Sequence, residues 1–286
     1  MPTTEFEHAS LAASRRYRLH SARIGETFQI DVALPARSGL AGHPMPVAYV
    51  MDANTVFGIA VQAARFLQDG DLARPAILVG IGYCLDGVVR SRNAYSALRT
   101  RDLTPSIDQS YLDLVAAAWS GEPAPTAIRP AGGADDFLDF LITELQPFIA
   151  GRYSIDLEDQ TLIGSSLGGL FSLYAYFQRP GAFAHHVANS PALWWNGGEI
   201  MNFLEPPAAS RRSGGRLFMS VGGEEPDTPP WMMLDNFHRL GRRLQNVEGL
   251  AFISHVFDGE SHTSVIPAAL SRGLRAVFSN NQSRTS

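Results

Sequence analysis

From residue 47 onward, short continuous apolar runs alternate with longer segments of helical spacing, and no other feature of the chain constrains its fold so tightly. The runs at 47–51, 76–81, 160–163, 183–189, 216–221 and 251–257 lack the in-and-out alternation of a half-exposed strand. They read as strands buried on both faces, the condition of a parallel sheet. Between them, 56–68, 135–150, 166–178, 230–245 and 264–278 carry apolar residues at helical intervals. Upstream, 16–23 and 27–34 alternate polar with apolar residues around a turn near Gly25, which predicts an antiparallel pair. The expected class is therefore α/β: a mostly parallel central sheet with antiparallel N-terminal strands and helices on both faces.

The 286 residues contain no internal repeat and no Gly/Ser linker, so one domain is expected over 1–286. The regular alternation lapses at 106–133, where Pro105, Pro123, Pro125, Pro130, Gly132 and Gly133 surround the short apolar stretch "YLDLVAAAW". This segment reads as an insertion over one end of the sheet, near the mouth of any site there. A chain 45% hydrophobic and 18% charged can bury a large core. Its net charge of −5 and lack of a basic run argue against a nucleic-acid partner. Cys84 is the only cysteine, which excludes an intrachain disulfide or a thiolate metal cluster; it reads as a small core hydrophobe. The N-terminus lacks a basic start followed by an apolar stretch, and no apolar run approaches about 18 residues. A cytoplasmic protein without membrane association is the expectation, with no metal or cofactor.

Gly164-Ser165-Ser166-Leu167-Gly168 matches G-x-S-x-G, a pattern too short to carry weight alone. Its setting strengthens it: "QTLI" reads as a strand and "LGGLFSLYAYF" continues without a gap as a helix. So sharp a strand-to-helix turn crowds the positions two residues either side of its centre, and glycine at 164 and 168 relieves the crowding. The turn would lift the Ser166 hydroxyl above the carboxyl end of the sheet and aim a helix N-terminus at it. The competing reading is a merely structural glycine turn.

A serine hydroxyl needs a base to act as a nucleophile at neutral pH. Of eight histidines, His8, His20 and His43 precede the parallel core. His185 and His186 are adjacent and would face opposite sides of a strand. His238 sits in a helical pattern and His255 inside the last strand. His262, in "DGESHTS", falls in the loop between the last strand and the last helix, 96 residues after Ser166. That loop lies at the end of the sheet where a base must sit. For the acid that orients the imidazole, "LFMSVGGEEPD" offers Glu224, Glu225 and Asp227 after an intermediate strand, with Asp258 a further candidate. Glu225 is the preferred choice. The run at 47–51 leads into "DANTVFG", which opens a helix, so the Asn54 backbone N–H pairs with the Leu167 N–H as oxyanion donors.

With these residues in place, the chain resembles the esterase branch of the α/β-hydrolases that includes esterase D, the enterobactin and salmochelin esterases and the mycolyl transferases. The pieces that carry the likeness are "VAYVMDANTVF", "RDLTP", "GGADDFLDFLITELQPFI", "LIGSSLGGLFSLYAYFQRPGAFAHHVANSPALWW" and "VFDGESH", spanning about 17–278. The resemblance implies an α/β-hydrolase fold, Ser166 as nucleophile, His262 as base, and Asn54 with Leu167 as oxyanion donors, with a siderophore esterase as the most similar kind. Two departures stand out. Asp52-Ala53 replaces the family's usual Asp-Gly, and the acid position varies, so Glu225 stands against a Ser–His dyad.

Around this site, Trp194 and Trp195 either pack or line a pocket, and adjacent side chains diverge so that one could do each. Arg101 either holds an anionic substrate group or pairs with Asp102. Tyr95 and Trp119 add aromatic surface. The expected function is a serine carboxylester hydrolase for bulky or aromatic, siderophore-type esters. A general short-chain esterase and an acyltransferase are the alternatives on the same fold, and a non-catalytic binding protein is the alternative from another class.

Overall fold

The structure is a computed structural model that describes residues 10–35, 43–85, 92–118, 130–204 and 215–279. Strands β1 (Ser14–Ser21) and β2 (Glu26–Ala33) form the expected hairpin, closed where Gly25 takes a φ of 72°. Then β3 (Met45–Val50), β4 (Ile77–Tyr83), β5 (Ile155–Ser165), β6 (His185–Asn189), β7 (Arg216–Gly222) and β8 (Ala251–Phe257) follow. The eight strands make one sheet in the order β1-β2-β4-β3-β5-β6-β7-β8. The β1–β2 and β2–β4 pairings are antiparallel; all others are parallel.

Alternate residues of the inner strands enter opposite cores, which explains their unbroken apolar character. On β3, Val47 and Tyr49 join one cluster, Ala48 and Val50 the other. Helices α1 (Ala53–Asp69) and α9 (Ile266–Phe278) cover the second face through Val56, Phe57, Leu270 and Leu274. The first face is covered by α4 (Ala134–Phe140), α5 (Gln146–Ala150), α6 (Leu167–Gln178) and α8 (Met233–Leu244). Each large side chain fully buried in these layers contributes roughly 1.5–3 kcal/mol of transfer free energy.

Four expectations change. The helix at 135–150 is broken by a π-helical turn at Leu141–Leu145. The run 251–257 is an edge strand rather than one buried on both faces: among the described residues β8 pairs only with β7, and Ile253 is 43% exposed. Cys84 lies just past β4 and is half-buried, not a core residue. After β4 comes a helix the sequence pattern did not reveal, α2 (Arg92–Leu103), whose polar composition masks its spacing. The 106–133 segment contains α3 (Gln109–Ala118), while 119–129 lies outside the described residues. Where it is described, it is fastened to the chain beyond β6. Trp195 Nε1 donates to Ser106 O (3.3 Å), and Asn196 N donates to Asp108 Oδ2 (2.8 Å). That chain forms the single turn α7 (Trp195–Gly198). Among the described residues no helix is long and apolar enough to cross a membrane.

Candidate active site

Ser166 stands alone between β5 and α6 with φ 59° and ψ −119°, a backbone region that costs a non-glycine residue roughly 1–3 kcal/mol. Its neighbours hold it there: Ser166 N donates to Asn189 O (2.9 Å), and Ala192 N and Leu170 N donate to Ser166 O (3.1 and 2.9 Å). The glycines divide the labour differently from the expectation. A Cβ on Gly164 would fall 2.1 Å from Gly168 O, which is impossible without opening the turn. At Gly168 the nearest atoms to a Cβ would be Met51 Cβ at 3.3 Å and Asp52 Oδ2 at 3.4 Å, a squeeze rather than a clash. The following Gly169 is the stricter one, because its Cβ would lie 2.9 Å from Asn189 O.

His262, on the loop after β8, and Glu225, on the loop after β7, meet above the same end of the sheet. His262 Nδ1 lies 2.6 Å from Glu225 Oε2. The two loops are stitched together by Gly223 N donating to Phe257 O (2.8 Å) and Glu224 N to Glu260 O (3.0 Å). Glu225 is 4% exposed, and its other oxygen accepts from the Ser190 hydroxyl and from Gly222 N (2.8 Å). Burial works to raise its pKa, but the bonds from His262, Ser190 and Gly222 more than offset that and hold the carboxyl below its ordinary value. The rival acids are placed elsewhere. Glu224 and Asp258 are exposed, and Asp227 caps α8 by accepting from Leu234 N and Asp235 N (both 2.9 Å). Ser190, the third member of this arrangement, was not singled out in the sequence. It follows β6 with a φ of 42°, and "NSPALWW" carried no sign that its hydroxyl faces an acid.

Asn54 and Leu167 occupy the first turns of α1 and α6, where N–H groups have no intrahelical acceptor. The Asn54 side chain is locked in place. Its Nδ2 donates to Tyr83 O (3.0 Å) and its Oδ1 accepts from Tyr83 N (2.8 Å). Gly82 makes room for it, since a Cβ there would lie 2.5 Å from Asn54 Oδ1. Just before this turn, Asp52 takes φ 57° and ψ 37°, and its carboxylate is gripped from α2. Arg99 Nε and Nη2 donate to its two oxygens (2.9 and 2.8 Å), and the Tyr95 hydroxyl donates to Oδ1 (2.9 Å).

The substrate-contact residues fare unevenly. Arg101 is engaged by acids of its own surroundings. Its guanidinium forms a fork on the buried Asp102 (2.6 and 2.8 Å), with Glu26 3.6 Å away, and Tyr83 Oη also donates to Asp102 (3.0 Å). The arginine on the site side of α2 is Arg99, two residues earlier and therefore about 200° away around the helix. Tyr95 spends its hydroxyl on Asp52. Trp195 is fully buried. Trp194 diverges from it and, with Asp108, Tyr111, Leu114, Pro230 and Trp231, lines a cavity of about 210 Å³. Trp194 lies two residues beyond Ala192, which is bonded to Ser166, and its ring meets Trp231 edge-on at 4.6 Å and Tyr111 at 5.4 Å. Trp119 lies outside the described residues. Among the described residues no group of three or more His, Cys, Asp or Glu could hold a metal ion.

Residues 84–270 match the family described as "Putative esterase". The chain is 32% identical to a siderophore triacetylfusarinine C esterase of Aspergillus fumigatus, over 94% of each protein. It is 31% identical to the ferri-bacillibactin esterase BesA of Bacillus subtilis, over 90% of this chain and 86% of that protein. Among solved structures, the BES protein of Bacillus cereus superposes with a TM-score of 0.80 at 29% identity, covering 96% of this chain and 99% of the other.

Proposed function

The chain belongs to this esterase family of α/β-hydrolases, and from that premise we propose that it is a serine carboxylester hydrolase whose natural substrates are siderophore-type esters. The catalytic domain is taken as 1–286, and the described part of the segment after α2 supports a place at the mouth, since Asp108, Tyr111 and Leu114 line the cavity that Trp194 shares. The observation that carries the reading is the 2.6 Å bond between the His262 Nδ1 and the buried Glu225, above the same sheet edge as the strained Ser166 turn.

With Glu225 holding Nδ1, the proton of the neutral imidazole resides there and Nε2 is free to accept. Ser166 Oγ attacks the ester carbonyl as His262 Nε2 takes its proton, and Glu225 stabilises the imidazolium that forms. The carbonyl oxygen, now negative, is held by the Asn54 and Leu167 N–H groups at two helix N-termini. Collapse expels the alcohol, which takes the proton from His262 and leaves an acyl-Ser166. Water, deprotonated by His262, then attacks the acyl carbonyl; collapse breaks the bond to Ser166 Oγ, which takes the proton back from His262, and the carboxylic acid leaves and ionises. No cofactor enters this sequence.

The siderophore assignment is supported by the names of the relatives above and by the aromatic wall of Trp194, Tyr111 and Trp231 in the cavity that begins two residues after Ala192. Such a wall suits a bulky or flat acyl or alcohol group better than an acetyl ester. The test compares kcat/KM for siderophore triesters, metal-free and ferric, with that for a simple acetyl ester. A preference of about tenfold or more for a triester is expected, from one or two good ring contacts. Preference for the acetyl ester would remove the siderophore assignment and leave a general esterase.

A further inference from the structure

Asp52 poses an electrostatic problem. It directly precedes Ala53 and Asn54, and its Oδ2 lies 3.4 Å from where a Cβ on Gly168 would stand, so the carboxylate sits between the starts of α1 and α6. A bare carboxylate there would oppose the negative charge that the Asn54 and Leu167 N–H groups are placed to receive. It does not serve its own helix either, for it makes no side-chain cap bond to α1. All of its described side-chain bonds go to α2, to the fork of Arg99 and the hydroxyl of Tyr95. Tyr95 and Arg99 are four residues apart and share one face of that helix.

We propose that Arg99 and Tyr95 are positioning residues for the oxyanion loop: they pin its left-handed turn through Asp52, and Arg99 cancels the charge that would otherwise oppose the transition state. The proposal rests on the esterase reading and extends it to a pair of residues on α2 that need not touch substrate. The guanidinium is suited to the task. Burial acts to discharge Arg99, but the charge and hydrogen bonds of Asp52 more than offset that and keep it firmly protonated. Its planar fork also fixes the carboxylate's orientation, which a lysine would not do.

Arg99→Met, Asp52→Asn and the double variant test this, with steady-state kinetics and the rate of Ser166 phosphonylation as paired readouts. Arg99→Met leaves the carboxylate with the Tyr95 hydroxyl but no cationic partner, and kcat should fall about 100-fold, on the scale of losing one oxyanion donor, with KM within about threefold. Asp52→Asn should cost less, and adding it to Arg99→Met should recover about tenfold, because the offending charge is gone. A merely structural ion pair gives no such recovery, and a direct substrate contact would raise KM instead; either result overturns the proposal. Arg99→Lys, which keeps the charge and loses the fork, replaces Arg99→Met should the latter not fold. Its kcat should fall with KM unchanged, and an unaltered kcat would overturn the proposal. Phosphonylation of the wild type separates the two levels: no labelling at Ser166 defeats the esterase reading, whereas equal labelling of wild type and Arg99→Met defeats only the clamp.

Discussion

At the scale of single residues, the proposed triad depends on Glu225 being ionised and aimed. Its carboxylate accepts from His262, the Ser190 hydroxyl and Gly222 N, so it stays charged below the ordinary carboxylate range near pH 4.3. Glu225→Gln keeps the shape but leaves the imidazole free to adopt the wrong tautomer, and kcat should drop by about 10³–10⁴ at neutral pH, as in other triads. The linkage sign follows from a lowered folded-state pKa. The stabilisation that Glu225 supplies is fully present above its unfolded value and is lost as pH falls through the folded one. The melting temperature of the wild type should therefore exceed that of Glu225→Gln by a constant margin above pH 5, a margin that shrinks in more acidic buffer. A near-normal kcat in this variant would point to a Ser–His dyad. The choice of Glu225 over its three rivals was legible in the sequence only as a preference. Chain position could not show that Glu224 points to solvent or that Asp227 caps a helix, because those depend on how the loop turns after β7.

At the scale of elements, the strand and helix alternation was readable because burial on both faces writes itself into continuous apolar runs. It failed where that link breaks. The edge strand β8 is as apolar as an inner strand yet half open to solvent, and α2 is too polar to display its spacing. Missing α2 left Arg99 and Arg101 undistinguished: of the two roles weighed for Arg101 the structure displays the pairing with Asp102, and it is Arg99 that turns toward Asp52. The Trp194–Trp195 pair shows the opposite outcome: divergence of neighbours was expected, and only the assignment of each required the structure. Trp195→Ala empties a fully buried site and should destabilise the fold by about 3–5 kcal/mol in denaturant melts. Trp194→Ala should cost less stability but lower kcat/KM for a bulky ester by about 3- to 10-fold, with little change for an acetyl ester. If both esters lose equally, Trp194 only packs.

Across the whole molecule, the candidate site is assembled from the carboxyl ends of five strands. Asp52 and Asn54 follow β3, Ser166 follows β5, Ser190 follows β6, Glu225 follows β7 and His262 follows β8. A parallel sheet delivers all of these loops to one edge, which is why residues up to 210 positions apart can meet there and why the class of fold foretold where to look. What the sequence could not convey was the support behind them: the grip of α2 on Asp52, and the Ser190 bond that anchors Glu225. These are side-chain contacts between elements distant in the chain, with no periodic signature. The central claim, a serine nucleophile at residue 166, is tested most directly by intact-mass and peptide mass spectrometry after treatment with a fluorophosphonate ester. One adduct is expected on the wild type, mapped to Ser166, with activity lost in step, and none on Ser166→Ala. An adduct on Ser165 or elsewhere, or full activity in Ser166→Ala, would contradict that claim.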